Sequence, residues 1–192
     1  MKKCFSDDLY RYYGQKESLR QFIRRPLELK YIIIFRKTQK SINDGKRLKG
    51  ILYRLYLHRL SQKTLIQIPW ATSIGKGFYI GHKGPVIINP GVSIGSNVNV
   101  ASGVTIGQEN RGPRKGSPII GSEVWIGTNA VIVGNITIGN DVLIAPGSYV
   151  NSDVPSHSIV FGNPAVIRHS DHATLSYINH ICTETEESES EK

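Results

Sequence analysis

Beginning at Ile68, every sixth residue of the chain is aliphatic: Ile68, Ile74 and Ile80, then after a slip of two Ile88, Ile94, Val100 and Ile106. After a longer interruption the register resumes at Ile120 and runs through Ile126, Ile132, Ile138, Ile144 and Val150, making thirteen anchors. Four places after most anchors stands a second small or aliphatic residue, as in Val98, Val104, Val124, Ala130, Ile136, Val142 and Ser148. A helix needs apolar spacings of three and four in alternation, and an isolated strand needs alternation by two, so neither period fits. A six-residue unit suits a short strand followed by a tight corner, where Gly95-Ser96-Asn97 and Gly139-Asn140-Asp141 supply residues that accept unusual backbone angles. Three such units close a triangular coil, and coils stack at the strand spacing of about 4.8 Å with the anchors pointing inward. The expected fold is mainly β, a parallel β-helix over residues 67–168.

The rest of the chain has a different character. Residues 1–66 carry 17 Lys and Arg against five Asp and Glu, a balance of +12, whereas residues 67–192 carry seven against ten, a balance of −3. Residues 6–62 read as helices. Ser6-Asp7-Asp8 is an expected helix start, Gly14 a break, and Pro26 opens a segment with Leu27, Tyr31, Ile34 and Phe35 on one side. Asn43-Asp44-Gly45 marks a turn, after which Leu48, Ile51, Leu52 and Leu55 form an amphipathic stripe interleaved with Lys49, Arg54 and Arg59. Packing against the prism or a partner subunit is the first expectation for that stripe, and contact with an anionic membrane the second. The longest strictly apolar run, Tyr31–Phe35, is far below the roughly 20 residues that span a bilayer. No signal-like apolar segment follows the N-terminal Met-Lys-Lys, so the reading is a cytoplasmic protein, peripheral to a membrane at most. Cys4 and Cys182 show no metal or disulfide pattern and read as bystanders in frayed ends. Residues 169–192 form a C-terminal segment whose tail, Thr183–Lys192, contains five Glu and is expected to be disordered.

Chemistry is sought where the repeat breaks. The first break, Ile80-Gly81-His82-Lys83-Gly84-Pro85, lengthens one unit to eight residues and sets a histidine at a corner. The second inserts Gln108-Glu109-Asn110-Arg111-Gly112-Pro113-Arg114-Lys115 between Gly107 and Ile119. Imidazole titrates near neutral pH and so suits a general base, although a lone histidine is more often structural. His82 has no other histidine beside it in the repeats before Val150; His58, His157, His169, His172 and His180 lie elsewhere.

The unbroken six-residue register over residues 67–168 resembles the hexapeptide-repeat acyltransferases, and that resemblance implies a left-handed β-helix and sites between the prisms of a homotrimer. Ile74-Gly75-Lys76-Gly77-Phe78-Tyr79-Ile80-Gly81-His82, followed by Val86-Ile87-Ile88, resembles the serine acetyltransferase branch. There the matching histidine is the base, and the acceptor hydroxyl attacks acetyl-CoA directly, with no acyl-enzyme and no metal. The resemblance further implies acetyl-CoA contacts at Gly127, Thr128, Ala145, Pro146, Asn151 and Ser152, with Arg168 near the phosphates.

The chain departs from that branch at four places. Gly81 and Gln67 stand where the branch has aspartates that orient the base, and Gly116 and Ser117 stand where it has an Arg-His pair before Pro118. Gln67 or a backbone carbonyl would then have to orient His82. The loop Gly107-Gln108-Glu109-Asn110-Arg111-Gly112 is closer to acetyltransferases of capsule and O-antigen gene clusters, which act on sugars. Acceptor contacts are therefore expected from Gln67, Lys83, Gln108, Asn110 and Arg111, unless the loop is simply held by its own polar groups.

The leading expectation is an acetyl-CoA-dependent O-acetyltransferase acting on a saccharide hydroxyl, with acetyl-CoA and the saccharide as partners and nucleic acid not among them. Serine O-acetylation is the alternative within the same chemistry, and N-acetylation of an amino sugar a third. A non-catalytic β-helix scaffold is the reading from another class. A zinc hydrase would need three histidines around the metal, and the repeats offer one.

Overall fold

The computed structural model describes residues 2–15 and 18–183. The repeat closes into five stacked coils. Coil one contains β1 (Ile66–Gln67), β2 (Ser73–Ile74) and β3 (Tyr79–Ile80), and coil two contains β4 (Val86–Ile88), β5 (Ser93–Ile94) and β6 (Asn99–Val100). Coil three is built from β7 (Thr105–Gly107), β8 (Ile119–Ile120) and β9 (Val124–Ile126), and coil four from β10 (Val131–Val133), β11 (Thr137–Ile138) and β12 (Val142–Ile144). Coil five has β13 (Tyr149–Val150), a bridge from Val154 to Ile138, and β14 (Ser158–Phe161), against which β15 (Val166–His169) pairs antiparallel.

Three parallel faces result. The first runs β1-β4-β7-β10-β13, the second β2-β5-β8-β11, and the third β3-β6-β9-β12-β14 with β15 at its far end. Register is strict: Ile88, Ile106, Ile132 and Val150 stack on the first face, and Ile80, Val100, Ile126 and Ile144 on the third. None of the thirteen anchors is more than 8% exposed, and the seven residues expected at the second position are buried with them. The core is thus a column of aliphatic side chains inside the prism.

The open end of such a column carries backbone N–H and C=O groups with no further coil to pair them. Four helices precede the prism, α1 (Lys2–Tyr13), α2 (Leu19–Ile23), α3 (Leu27–Asn43) and α4 (Arg47–Thr64), and α1, α3 and α4 pack on coil one. Polar side chains of α1 and α3 satisfy coil one group by group. Tyr31 exchanges hydrogen bonds with the Ile68 carbonyl and amide, at 3.0 and 3.1 Å. Arg36 donates to the carbonyls of Ile74 and Gly75, and Gln39 to those of Trp70 and Thr72. Asp8 accepts from the Phe78 amide at 2.9 Å while Arg36 grips its carboxylate at 2.8 Å. A buried backbone group without a partner costs about 1–3 kcal/mol, so these side chains decide where the prism begins.

Two helical expectations need correction. The start foreseen at Ser6-Asp7-Asp8 lies inside α1, because Asp8 is turned toward Phe78 and Arg36 instead of capping a terminus. The stripe of α4 does not pack on the prism. Helix α4 buries Gly50, Leu57, Leu60 and Thr64, whereas Leu48 (81% exposed), Ile51, Leu52 (66%) and Leu55 face outward.

The C-terminal segment ahead of its acidic tail is bonded to the prism. Beyond β15, residues 170–183 descend the third face as a strap. Asp141 of coil four accepts hydrogen bonds from the Ala173 and Thr174 amides and the Thr174 hydroxyl, at 2.7–3.1 Å. In coil two, Asn99 donates to the Tyr177 carbonyl and Asn97 exchanges two bonds with the backbone of Cys182; Lys76 of coil one donates to the Thr183 carbonyl. Cys182 is therefore a buried residue of the strap and not frayed, and burial pushes its thiol up to about 11. The acidic tail from 184 onward and the side chain of Cys4 lie outside the described residues.

Candidate active site

His82 sits where the chain turns from the third face to the first. The backbone bonds of that edge stack its residues in a line: Gly81 N–H donates to Val100 O, Ala101 N–H to Ile126 O, Gly127 N–H to Ile144 O, and Ala145 N–H to Val160 O. Gly81, Ala101, Gly127 and Ala145 are thus vertical neighbours, with His82, Thr128 and Pro146 beside them. At about 4.8 Å per coil the line rises some 14 Å from the histidine to Ala145. Small residues keep this edge low. Gly127 is required there, because a Cβ would lie 2.6 Å from the Pro146 nitrogen of the coil above.

A cavity of about 290 Å³ opens beside His82. Its size is at the small end for ligand sites, so it suits an acceptor group and not a whole nucleotide carrier. Three parts of the chain build it. Coils one to three contribute Tyr79, Gly81, His82, Asn99 and Trp125; α1 contributes Arg11 and Tyr12; and the strap contributes Tyr177, Asn179 and His180. Tyr12 and Tyr79 lie with ring centroids 4.4 Å apart, and Trp125 meets Tyr177 edge to face at 5.0 Å. Trp125 is therefore more than a cover for the prism surface. His180 is held against α1: its ring stacks with Tyr10 at 5.8 Å, and a Cβ on Gly14 would lie 2.5 Å from His180 Cε1.

His82 itself is exposed, and among the described residues its ring makes no hydrogen bond. Gln67 does not orient it. That residue lies on the first face and lines a different cavity, with Arg54, His58 and Trp70. Lys83 adjoins His82 in the chain but is exposed and outside the cavity.

The other predicted contacts belong to a second edge, where the chain turns from the first face to the second. The long loop leaves the prism there after Gly107 and forms a small hairpin in which the backbones of Glu109 and Gly116 exchange hydrogen bonds of 2.9 and 3.0 Å. Gln108 donates to Asn110, and the Glu109 carboxylate accepts from the Asn110 and Arg111 amides. Arg114 reaches up to the Asn151 carbonyl. Gln108, Asn110 and Arg111 are thus engaged within their own loop and lie outside the His82 cavity, and Asn151 and Ser152 share their edge instead of that of Gly127 and Ala145. Arg168 lies on β15, opposite Ile159, with its guanidinium over the Phe161 ring at 5.2 Å. Sequence reasoning singled out His82, and the family resemblance singled out Gly127, Thr128, Ala145 and Pro146, which share its edge. Both missed Arg11, Tyr12 and His180, which carry no repeat signal and reach the cavity only through long-range folding.

A family model described as bacterial transferase hexapeptide (six repeats) matches residues 117–152, which lie in coils three to five of the prism. Serine acetyltransferases are among the proteins the chain is similar to. It is 37% identical over 131 residues to serine acetyltransferase 2 of Arabidopsis thaliana, a match covering 68% of this chain and 40% of that protein. It is 41% identical over 101 residues to the serine acetyltransferase of Bacillus pumilus, covering 53% of this chain and 46% of that one. In fold it matches the Neisseria gonorrhoeae serine acetyltransferase with a TM-score of 0.72 at 27% identity, over 88% of this chain and 65% of that one. The structure of the same enzyme in complex with serine matches at 0.70 and 29%, covering 87% and 68%. The chain spans less than half the length of the relatives it matches by sequence. Those relatives carry the serine name and not that of the capsule and O-antigen enzymes that the long loop resembles.

Proposed function

We propose that the chain transfers the acetyl group of acetyl-CoA to a hydroxyl, with His82 as general base. The observation that supports this reading is the alignment of His82 with Gly127, Thr128, Ala145 and Pro146 on one prism edge, whose small residues leave an extended thioester room to lie along the prism above the histidine. The imidazole takes the hydroxyl proton as the acceptor oxygen attacks the thioester carbonyl. The C–S bond then breaks and the CoA sulfur leaves as thiolate, to be protonated by the imidazolium.

The names of the relatives support L-serine as acceptor, which moves the alternative of the sequence reading ahead of the saccharide. A saccharide hydroxyl stays as the second reading, on one observation: among the described residues no Asp or Glu lines the His82 cavity to receive an ammonium group, whereas Tyr79, Trp125 and Tyr177 offer aromatic surface. Cofactor candidates split between two edges, with the first face between them, support a trimer in which one copy's His82 edge meets the loop edge of the next. Release of CoA from acetyl-CoA, followed with a thiol reagent against L-serine and simple sugars, tests the reaction. Loss of 10²- to 10⁴-fold in His82→Ala is expected for a general base; unchanged turnover in that variant would remove His82 from the mechanism.

A further inference from the structure

Arg11 is the one cation set into the wall of the His82 cavity by burial and not by chance exposure. It belongs to α1, only 4% of its surface is exposed, and its side chain lines the cavity. Two of its three nitrogens are committed: Nε donates to the Gly77 carbonyl at 3.1 Å, and Nη2 to the side-chain oxygen of Asn99. The third, Nη1, is shielded from solvent and has no partner among the described residues. Among the described residues Arg11 forms no ion pair. Asp8, the carboxylate that acts on it, is occupied by Arg36 and the Phe78 amide; Asp7, one turn earlier on α1, has a buried Oδ2 with no hydrogen-bond partner and forms no ion pair with it among the described residues. A buried guanidinium with a donor unmet costs several times what an exposed one does, and the ordinary remedy is an anion. Among the described residues the cavity walls provide none: their titratable residues are Arg11, Tyr12, Tyr79, His82, Tyr177 and His180.

We infer that Arg11 holds a carboxylate of the acceptor, so that the enzyme acetylates hydroxyl compounds bearing a carboxylate in preference to neutral ones. This rests on the reading of the His82 cavity as the acceptor site. The sequence supports a change of clamp: the positions of the long loop where the branch it resembles has an Arg-His pair are Gly116 and Ser117 here, and the missing cation is replaced from α1. An acceptor pinned at Arg11 on one wall presents its hydroxyl to His82 on another. The class includes L-serine and also an acidic sugar.

The test compares matched acceptors, L-serine against L-serinamide and D-glucuronate against D-glucose, in the CoA-release assay. Occupancy of the cavity is read separately, from quenching of Trp125 fluorescence in a Trp70→Phe background. A charge-assisted hydrogen bond predicts about 10- to 150-fold higher kcat/KM for the carboxylate member of the pair that is turned over. Arg11→Gln should abolish that preference and raise the acceptor KM while leaving the KM for acetyl-CoA unchanged; Arg11→Lys should retain part of it. Equal turnover and equal quenching by both members of each pair with the wild-type protein overturns the inference, even if Arg11→Gln does not fold. An effect of Arg11→Gln confined to the acetyl-CoA KM overturns it too, placing the anion on the CoA phosphates. Carboxylate-selective quenching with no CoA release would keep the anion site and retire the transferase reading instead.

Discussion

Tyr12 and Ile80 exchange two hydrogen bonds: the Ile80 amide donates to the phenol oxygen at 3.2 Å, and the phenol donates to the Ile80 carbonyl at 2.8 Å. One side chain from α1 thereby closes the edge of β3 two residues before His82. Tyr12→Phe leaves both backbone groups unmet in a buried place, and the expected loss is about 1–3 kcal/mol in a denaturant titration. CoA release should fall as well, because the turn that carries His82 loses its anchor. Burial pushes the Tyr12 phenol well above 10.0, with its bond to the Ile80 carbonyl opposing the shift. A pKa raised by folding contributes stability below the unfolded value that is lost as pH rises through the folded one. Stability should therefore decline from about pH 10 upward, and less so in Tyr12→Phe.

The strap answers to acid and to thiol chemistry. Burial by itself would raise the Asp141 carboxyl, but the Thr174 hydroxyl and amide, His157 and the Ala173 amide outweigh it and hold the group below 3.8. Such a group stabilises the fold above its unfolded pKa and ceases to do so as pH falls through its folded value. Below about pH 4 the strap should loosen first at Thr174, visible as faster amide exchange over residues 173–182. At neutral pH, iodoacetamide should label Cys182 slowly, since its thiol sits near 11 and its backbone is clasped by Asn97. Asn97→Ala should speed labelling of the Cys182 peptide, measured by mass spectrometry in a Cys4→Ser background. Equal rates would mean that the clasp does not hold the strap.

Gly127→Ala places a methyl group 2.6 Å from the nitrogen of Pro146, an atom of backbone that cannot swing aside. Coils three and four would have to part locally. A loss of about 1–3 kcal/mol is expected from the overpacking, read as a lowered melting temperature. The KM for acetyl-CoA should rise with it if the thioester lies along this edge.

Helix α4 has five Lys or Arg, no Asp or Glu, and an outward stripe of Leu48, Ile51, Leu52 and Leu55. Contact with an anionic bilayer is the second of the two expectations for this stripe, and the exposed geometry suits it. Cosedimentation with vesicles rich in phosphatidylglycerol, absent with phosphatidylcholine alone and lost in Leu52→Glu/Leu55→Glu, is the expected result. A double variant that instead changes the sedimentation coefficient in the absence of lipid would assign the stripe to contact between copies of the chain.

The prism was legible because a solenoid repeats one local problem. Each anchor from Ile68 to Val150 faces the same interior, so period alone locates the core, and a break in the period locates His82. Gly127 was named through the family resemblance, and the close approach of the Pro146 backbone that requires a glycine there is visible only in the structure. The shape of the long loop was not legible: Gln108 bonds Asn110, and the backbone amides of Asn110 and Arg111 close a turn on the Glu109 carboxylate, contacts that no period announces.

What the sequence determined by itself, then, is the five-coil core and the corner histidine, since both follow from contacts between residues a fixed short distance apart. Tertiary structure alone decided the His82 cavity, in which α1, His82 and the strap meet. Arg11 and His180 stand 71 residues before and 98 after the histidine, and no periodicity links them to it. They are brought there by the need to pair the open end of coil one and by the bonds that Asp141, Asn97 and Asn99 make to the descending strap.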